Sequence, residues 1–304
     1  HLGESQGRAA GFNDAIKLAP RAGDVFVGVD HVQLLVHQDR DPLTRLAVKR
    51  GLLPAVVLED GACLRSGKQV LRTIAVRLPA GRSVHILEGK LNRKCTESHF
   101  KQRLSVPLKK AKRPFSGTIS NMPFVAVSGG EVALFVDKKT AIVGKASALE
   151  TVADDVLKGR KSVMNDRVKR KLFQSATKAR SILWSFSKIP ERIRKRYRGT
   201  NDAAFANVRS FVLTAVGSSR ADIALRCDFQ SSKQALKLKS VLQTRFRERV
   251  GNSMILRALG IASMIEEGFK LAARGRVMEA KIAISPLQMG ILARSGGKIL
   301  AILE

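Results

Sequence analysis

The chain has 304 residues, of which 44% are hydrophobic and 26% are charged, and this composition is typical of a globular protein and excludes a disordered one. Its 55 Lys and Arg residues against 25 Asp and Glu residues give a formal net charge of +30. Such a charge favours polyanionic partners, namely nucleic acid, an anionic lipid or envelope polymer, or an acidic protein. The low aromatic content of 5% argues against single-strand nucleic-acid binding, which usually needs exposed aromatic stacking surfaces.

The beginning of the chain is predicted to be a tether or a short helix over residues 1–19. Residues 1–10 are small and polar, and residues 12–18 can form a helix before Pro20. The first residue is His1 and not Met, as expected if a signal peptide, an N-terminal anchor or a tag had been removed. No run of 18 uncharged apolar residues is present, so no segment is predicted to span a membrane.

A hairpin followed by a helix is predicted twice. In residues 71–104, two apolar β-branched runs flank Pro79 and Gly81, and the pattern then changes to helical spacing. The same pattern returns in residues 208–242. At spacings of 137 or 138 residues, Arg72, Arg82, Leu87 and Leu104 correspond to Arg209, Arg220, Leu225 and Leu242. The chain is therefore predicted to be a diverged tandem repeat.

Further strands and helices are predicted on either side of these two units, in both halves of the chain. Strands are predicted at 24–29, 56–58, 117–120, 124–128, 131–137, 140–143, 181–187 and 276–284. Helices are predicted at 43–53, 148–157 and 189–197, with one or two apolar helices in 245–273. Ser147 is expected to cap the helix at 148–157, with Glu150 completing a capping box.

These elements predict an α+β fold of two tandem repeats, each an antiparallel sheet backed by helices on one face. The predicted domains are 20–178 for the first repeat and 179–304 for the second, which carries a helical insertion at 245–273.

Two segments resemble a family of tandem-domain proteins. Residues 82–104, RSVHILEGKLNRKCTESHFKQRL, are similar to its strand, Gly, short strand and helix unit, and residues 133–157 are similar to a later strand and helix element that contains Gly144. The family comprises poorly characterised secreted or lipid-anchored proteins of myxobacteria and planctomycetes. The resemblance covers residues 20–190 and implies a location outside the cytoplasm, with no catalytic residues. The second half departs from it, since Cys227 stands where Gly89 would fall.

The residues that could support chemistry form no recognisable site, so no catalytic, cofactor-binding or metal-binding residue is predicted. His31 and His37 are six residues apart near several aspartates, a spacing that does not make metal ligands converge, and both are expected at the surface. His85 and Glu88 are expected to face opposite sides of their strand. Cys63, Cys95 and Cys227 allow at most one disulfide and are expected to be small buried hydrophobic residues.

Basic clusters are the remaining functional signal. The predicted anion-binding or partner-binding residues are Lys109, Lys110, Lys112 and Arg113; Lys158, Arg160 and Lys161; Arg167, Lys169, Arg170 and Lys171; and Arg192, Arg194, Lys195, Arg196 and Arg198. Solubility needs a net charge of only about 2–8 in a small domain. The last two clusters flank the strand predicted at 181–187 and can form one patch.

The first hypothesis is a non-enzymatic exported structural or binding protein, periplasmic or envelope-associated. It would dock on an anionic surface or an acidic partner protein through these residues, within a larger assembly. The alternative is a sequence-nonspecific nucleic-acid-binding protein, although no helix-turn-helix, zinc-finger or RNA-recognition signature is present. The third is an enzyme with an unrecognised site.

Overall fold

The chain has an α+β fold in the computed structural model, and its two compact units meet along the sequence between Lys171 and Leu172. Among the described residues, those up to Lys171 belong to the first unit and those from Leu172 belong to the second. The structure describes residues 11–34, 63–64, 68–110, 114–128, 130–154, 161–178, 181–200, 202–217, 221–254, 257 and 261–285. The helix and strand predicted at 43–53 and 56–58 lie outside these residues.

The first unit contains seven strands in its described part, and each neighbouring pair is antiparallel. Their order across the sheet is β1-β2-β3-β7-β6-β5-β4. The strands are β1 Val25–Asp30, β2 Val70–Arg77, β3 Ser83–Gly89, β4 Ser116–Ile119, β5 Met122–Ala126, β6 Val132–Phe135 and β7 Thr140–Gly144. The strands predicted in the described part of this unit are therefore present, and the one predicted at 56–58 lies outside it.

Helices cover both faces of this sheet, which corrects the prediction of helices on one face. All five residues of β7 are buried, although successive residues point to opposite faces. On one face, Phe100 of α2 Arg93–Lys110 packs in a cluster with Leu87 and Val143. On the other face, α3 Ala146–Val152 places Leu149 beside Gly144, and α1 Gly11–Ala15 contacts β2 and β3. Two apolar sheet faces need two covering layers.

The second unit contains five described strands in the order β8-β9-β10-β12-β11, again with antiparallel neighbours. The strands are β8 Leu183–Lys188, β9 Ser210–Gly217, β10 Ala221–Asp228, β11 Phe269–Arg274 and β12 Val277–Ile284. The helices are α5 Glu191–Tyr197, α6 Ser232–Phe246 and α7 Ile261–Gly268, with a π-helix at Arg247–Gly251. The helix α4, Arg167–Thr177, crosses the division between the units.

The strands of the second unit pack differently on their two faces. On one face, Ala235 and Leu238 of α6 lie in a cluster with Cys227 of β10 and Met278 of β12. On the other face, Phe173 of α4 forms an aromatic cluster with Trp184 and Phe186 of β8. Beyond that cluster, the residues of β11 alternate between half-buried and exposed, as expected for a sheet with one open face.

Local sequence signals set several element ends. The side chains of Asn92, Asp166 and Ser231 accept hydrogen bonds from the first free amides of α2, α4 and α6. The predicted capping by Ser147 is wrong, because α3 begins at Ala146 and is preceded by Lys145, which makes no side-chain cap. Asp137 stabilises the turn before β7 by accepting hydrogen bonds from the amides of Lys139 and Thr140.

Two further predictions are corrected. The apolar segment 245–273 is not wholly helical, because its last residues form β11, which pairs with β12 from Phe269 to Arg274. Cys63 and Cys95 are joined in a disulfide with their Cα atoms 5.7 Å apart, and Cys227 is the buried free thiol. The disulfide attaches Cys63 to the first turn of α2.

Candidate polyanion-binding site

The helix α5 carries the densest basic cluster of the second unit. It follows Pro190, whose φ of −61° suits the approach to a helix. Five of the eight residues in 191–198 are Lys or Arg, and Glu191 is the single acidic residue. Glu191 lies in the first turn, where a carboxylate interacts favourably with the helix dipole.

Glu191 is already paired inside the cluster. Its two carboxylate oxygens accept hydrogen bonds from the guanidinium groups of Arg194 and Arg198. Both arginines are therefore held on the side of the helix that carries Glu191. Arg192, Lys195 and Arg196 are exposed, so the charge of this cluster faces solvent.

The acidic side chain on the loop after α5 is paired as well. Asp202 lies 2.8 Å from Arg245 of α6, and the guanidinium of Arg245 stands 5.9 Å above the ring of Phe205. The two nearby carboxylates, Glu191 and Asp202, are thus each in contact with a cation. The positive charge of α5 is left in excess, which is the condition for attracting a polyanion.

A second basic cluster lies in the first unit. Arg167, Arg170 and Lys171 of α4 are exposed. Lys161 is exposed too, and its carbonyl oxygen accepts a hydrogen bond of 2.7 Å from the amide of Arg21. This contact brings Arg21, which is also exposed, next to Lys161. Because Arg21 is isolated in the sequence, the pattern of basic runs could not include it.

Lys169 is removed from the predicted anion-binding residues. It is 8% exposed, and its Nζ donates hydrogen bonds to the carbonyl oxygens of Arg21 at 2.5 Å and Gly23 at 2.7 Å. The same Nζ lies 5.5 Å from the centre of the Phe26 ring. Its charge is compensated by backbone dipoles and an aromatic face, so this lysine has a structural role.

The remaining predicted residues are only partly described. Lys109 is exposed near the end of α2. The side chain of Lys110 and the residues Lys112, Arg113, Lys158 and Arg160 lie outside the described part of the structure. Outside the predicted basic runs, α6 exposes two further lysines, Lys233 and Lys237.

A buried ionic cluster lies inside the first unit, across β1, β2 and β3. Asp30, Arg72 and Glu88 are register partners on one face of the sheet. The guanidinium of Arg72 lies 3.6 Å from Asp30 and 3.0 Å from Glu88. Burial raises the pKa of the Glu88 carboxyl, and the charge of Arg72 opposes this rise. One guanidinium thus compensates part of the charge of two carboxylates.

His31 follows this cluster and corrects the prediction of a surface position. It is 3% exposed, and its Nε2 lies 2.8 Å from the hydroxyl of Thr73. Burial lowers the pKa of His31 to about 4, although Asp30 acts in the opposite direction. Burial likewise lowers the pKa of His85. These imidazoles are therefore neutral near neutral pH.

Among the residues that the structure describes, no group of three or more His, Cys, Asp or Glu side chains could hold a metal ion. Within the same residues, no helix has the length and apolar character needed to cross a membrane. Comparisons with protein-family models, curated proteins and solved structures find no match to this chain.

Proposed function

We propose that this chain is a non-enzymatic binding protein that docks on an anionic surface or an acidic partner protein through α5. The observation that carries the proposal is the exposed cluster of Arg192, Lys195, Arg196 and Arg198. Glu191 of α5 and Asp202 of the following loop are already paired with arginines. An incoming polyanion therefore displaces no partner that the structure describes at Lys195 or Arg196, and both of these cations are exposed.

We further propose that the scaffold arose by duplication, which agrees with the spacing of 137 or 138 residues between similar segments. If β4 and β5 are set aside, the first unit has the order β1-β2-β3-β7-β6 and the second has β8-β9-β10-β12-β11. In each, three consecutive strands are followed by a helix and then a hairpin whose last strand joins the third strand. A duplicated scaffold offers a rigid support for exposed charges.

We place the protein outside the cytoplasm, in the periplasm or at the envelope. The disulfide between Cys63 and Cys95 supports this location, because such bonds persist in oxidising compartments. The resemblance to secreted and lipid-anchored tandem-domain proteins supports the same proposal. Docking there would place the chain within a larger assembly.

The test compares two double variants with the same loss of charge in the same unit. The variant Lys195→Gln, Arg196→Gln changes α5, and the control Lys233→Gln, Lys237→Gln changes the exposed side of α6. Binding to labelled poly-glutamate is measured by fluorescence anisotropy at low salt. We expect the α5 variant to weaken binding about tenfold, a loss of about 1.4 kcal/mol, and the control to weaken it much less. Equal losses would show that net charge, and not α5, determines binding.

The second candidate function, nucleic-acid binding, is favoured by one observation. Tyr197 is 42% exposed in the same cluster as the arginines of α5, and it could stack on a base while they contact phosphates. A Tyr197→Ala variant should then bind a single-stranded oligonucleotide about tenfold more weakly, since stacking contributes about 1–3 kcal/mol per base. Unchanged oligonucleotide binding would exclude this role for Tyr197, and poly-glutamate binding serves as the control.

A further inference from the structure

The open face of the second unit holds a groove on β9, β10, β12 and β11. It lies where β9 and β12 end and where β10 and β11 begin. Its volume is about 580 Å³, within the range of small-molecule sites. The groove lies on the face opposite α6, whose Ala235 and Leu238 pack against Cys227 and Met278. Trp184 and Phe186 belong to β8, and the groove lies on the strands that follow β8 in the sheet order, from β9 to β11. It is independent of α5 and of the proposed function.

Small side chains form the floor of the groove. Ala224, Ala283 and Thr214 line it, where larger side chains would fill the space. At its edge, Gly268 allows the chain to approach β12 closely, since a Cβ there would lie 2.2 Å from the carbonyl oxygen of Ala283. The small side chains and the close approach at Gly268 thus leave a recess in this face of the sheet.

Two lysines stand side by side at the groove. Lys270 and Lys281 are direct register partners on β11 and β12, both are exposed, and both line the groove. Like charges directly opposite each other destabilise an antiparallel pair. Glu279 lies 3.7 Å from Lys281 and 3.9 Å from Arg226, and Asp228 lies 3.8 Å from Arg226. With Lys270, three cations therefore face two carboxylates. The spot therefore retains an excess of positive charge.

The opposite end of the groove is acidic. Asp222 is the register partner of Ala283, two residues along β12 from Lys281, and it lines the groove together with Glu267. Two residues along a strand correspond to about 7 Å. A ligand with one anionic group is therefore oriented, because its anion is attracted to the lysines and repelled from Asp222.

We propose that this groove binds a small phosphate monoester with an uncharged, largely apolar body. The two ammonium groups attract the phosphate of such a monoester, which carries a charge of about −2 near neutral pH. The body lies over the floor of Ala224 and Ala283 and ends near Asp222. A second anionic group on the body is disfavoured by Asp222 and Glu267.

The test is calorimetric titration of the full chain with phenyl phosphate, inorganic phosphate and phenol. Phenyl phosphate should bind more tightly than inorganic phosphate or phenol, because the site contacts both its phosphate group and its ring. The Lys270→Gln, Lys281→Gln double variant should raise its Kd about tenfold. A Lys237→Gln, Lys233→Gln variant of α6 should change the Kd of phenyl phosphate by less than about twofold. An Asp222→Asn variant should leave this Kd unchanged or lower it. Circular dichroism checks that each variant is folded.

The proposal is overturned if phenyl phosphate shows no saturable binding with a Kd below about 1 mM. It is also overturned if the α6 variant loses as much affinity as the groove variant, since binding would then follow net charge. Inorganic phosphate that binds as tightly as phenyl phosphate would remove the role of the apolar floor. None of these results depends on poly-glutamate binding to α5, so the two proposals fail separately.

Discussion

At the scale of single residues, Lys169 shows how burial changes the role of a charge. Its ammonium group is held by two backbone carbonyls and a phenyl ring, while its neighbours Arg170 and Lys171 are exposed. The sequence presents all of them as one basic run. The helical spacing could place Lys169 on the apolar side with Leu172 and Phe173, but nothing in the sequence shows that Arg21 and Gly23 offer it free carbonyls.

The Lys169→Met variant is expected to lower the free energy of unfolding by about 2–4 kcal/mol. The buried carbonyl oxygen of Gly23 and the part-buried one of Arg21 would lose their donor, and each buried unsatisfied group costs about 1–3 kcal/mol. The control is Lys171→Met, at an exposed position on the same helix, which should change stability by less than about 0.5 kcal/mol. Urea unfolding measures both. A Lys169→Met variant as stable as its control would show that the two hydrogen bonds are not formed.

His31 should make stability depend on pH in a defined window. Burial lowers its folded pKa to about 4, against 6.5 for the unfolded group, so the unfolded state binds the proton first as the pH falls. Stability is retained above about pH 6.5 and is lost as the pH falls toward 4, by about 2 kcal/mol between pH 7 and pH 5.

The measurement is urea unfolding of the unmodified chain and of His31→Gln at pH 7 and pH 5. Glutamine cannot titrate, so the variant should lose about 2 kcal/mol less than the unmodified chain over this interval. The half-buried His85 remains in both proteins, so its contribution cancels. The same pH dependence in both proteins would contradict the burial of a neutral His31.

At the scale of elements, alternation and turn residues predicted most of the strands, and caps predicted several helix ends. The segment Phe269–Arg274 was missed because its apolar residues continue the helical pattern of the preceding segment. Its own alternation of Phe269, Leu271 and Ala273 with Lys270 and Arg274 was the signal for a strand. The second helical layer in the first unit could not be foreseen from the sequence. Tertiary packing decides which faces of a sheet are covered by helices.

The disulfide at the start of α2 gives an element-scale prediction. It closes a segment with a sequence separation of 32 residues, so its reduction should lower the free energy of unfolding by about 3–4 kcal/mol. The reason is that the crosslink limits the freedom of the unfolded chain. Urea unfolding with and without a reductant measures this loss. A Cys63→Ser, Cys95→Ser variant, used as the control, should be insensitive to the reductant.

The third cysteine provides an independent check. Burial raises the pKa of the Cys227 thiol to about 12, and only the thiolate reacts readily. At pH 8, a thiol reagent should therefore label no cysteine in the folded chain and one per chain in urea. Two or three labelled cysteines in urea without a reductant would contradict the disulfide.

At the scale of the whole molecule, the sequence predicted the α+β class and the excess of positive charge, but not where that charge is left uncompensated. The ion pairs of Glu191 and Asp202 depend on the folding of α5 beside the loop that leads to Phe205 and Arg245. Likewise, the groove at Lys270 and Lys281 depends on the register of two strands, one of which was predicted as a helix. Such sites become visible only once cross-strand and loop contacts are known.

The salt dependence of poly-glutamate binding tests the role of α5 most directly. We expect log Kd to rise linearly with log salt concentration, since cations of α5 form ion pairs that salt screens. The slope should be smaller in the Lys195→Gln, Arg196→Gln variant than in the unmodified chain, and unchanged in the α6 control. An affinity that is the same at low and high salt, or slopes that are equal in all three proteins, would contradict the assignment of α5 as the binding surface.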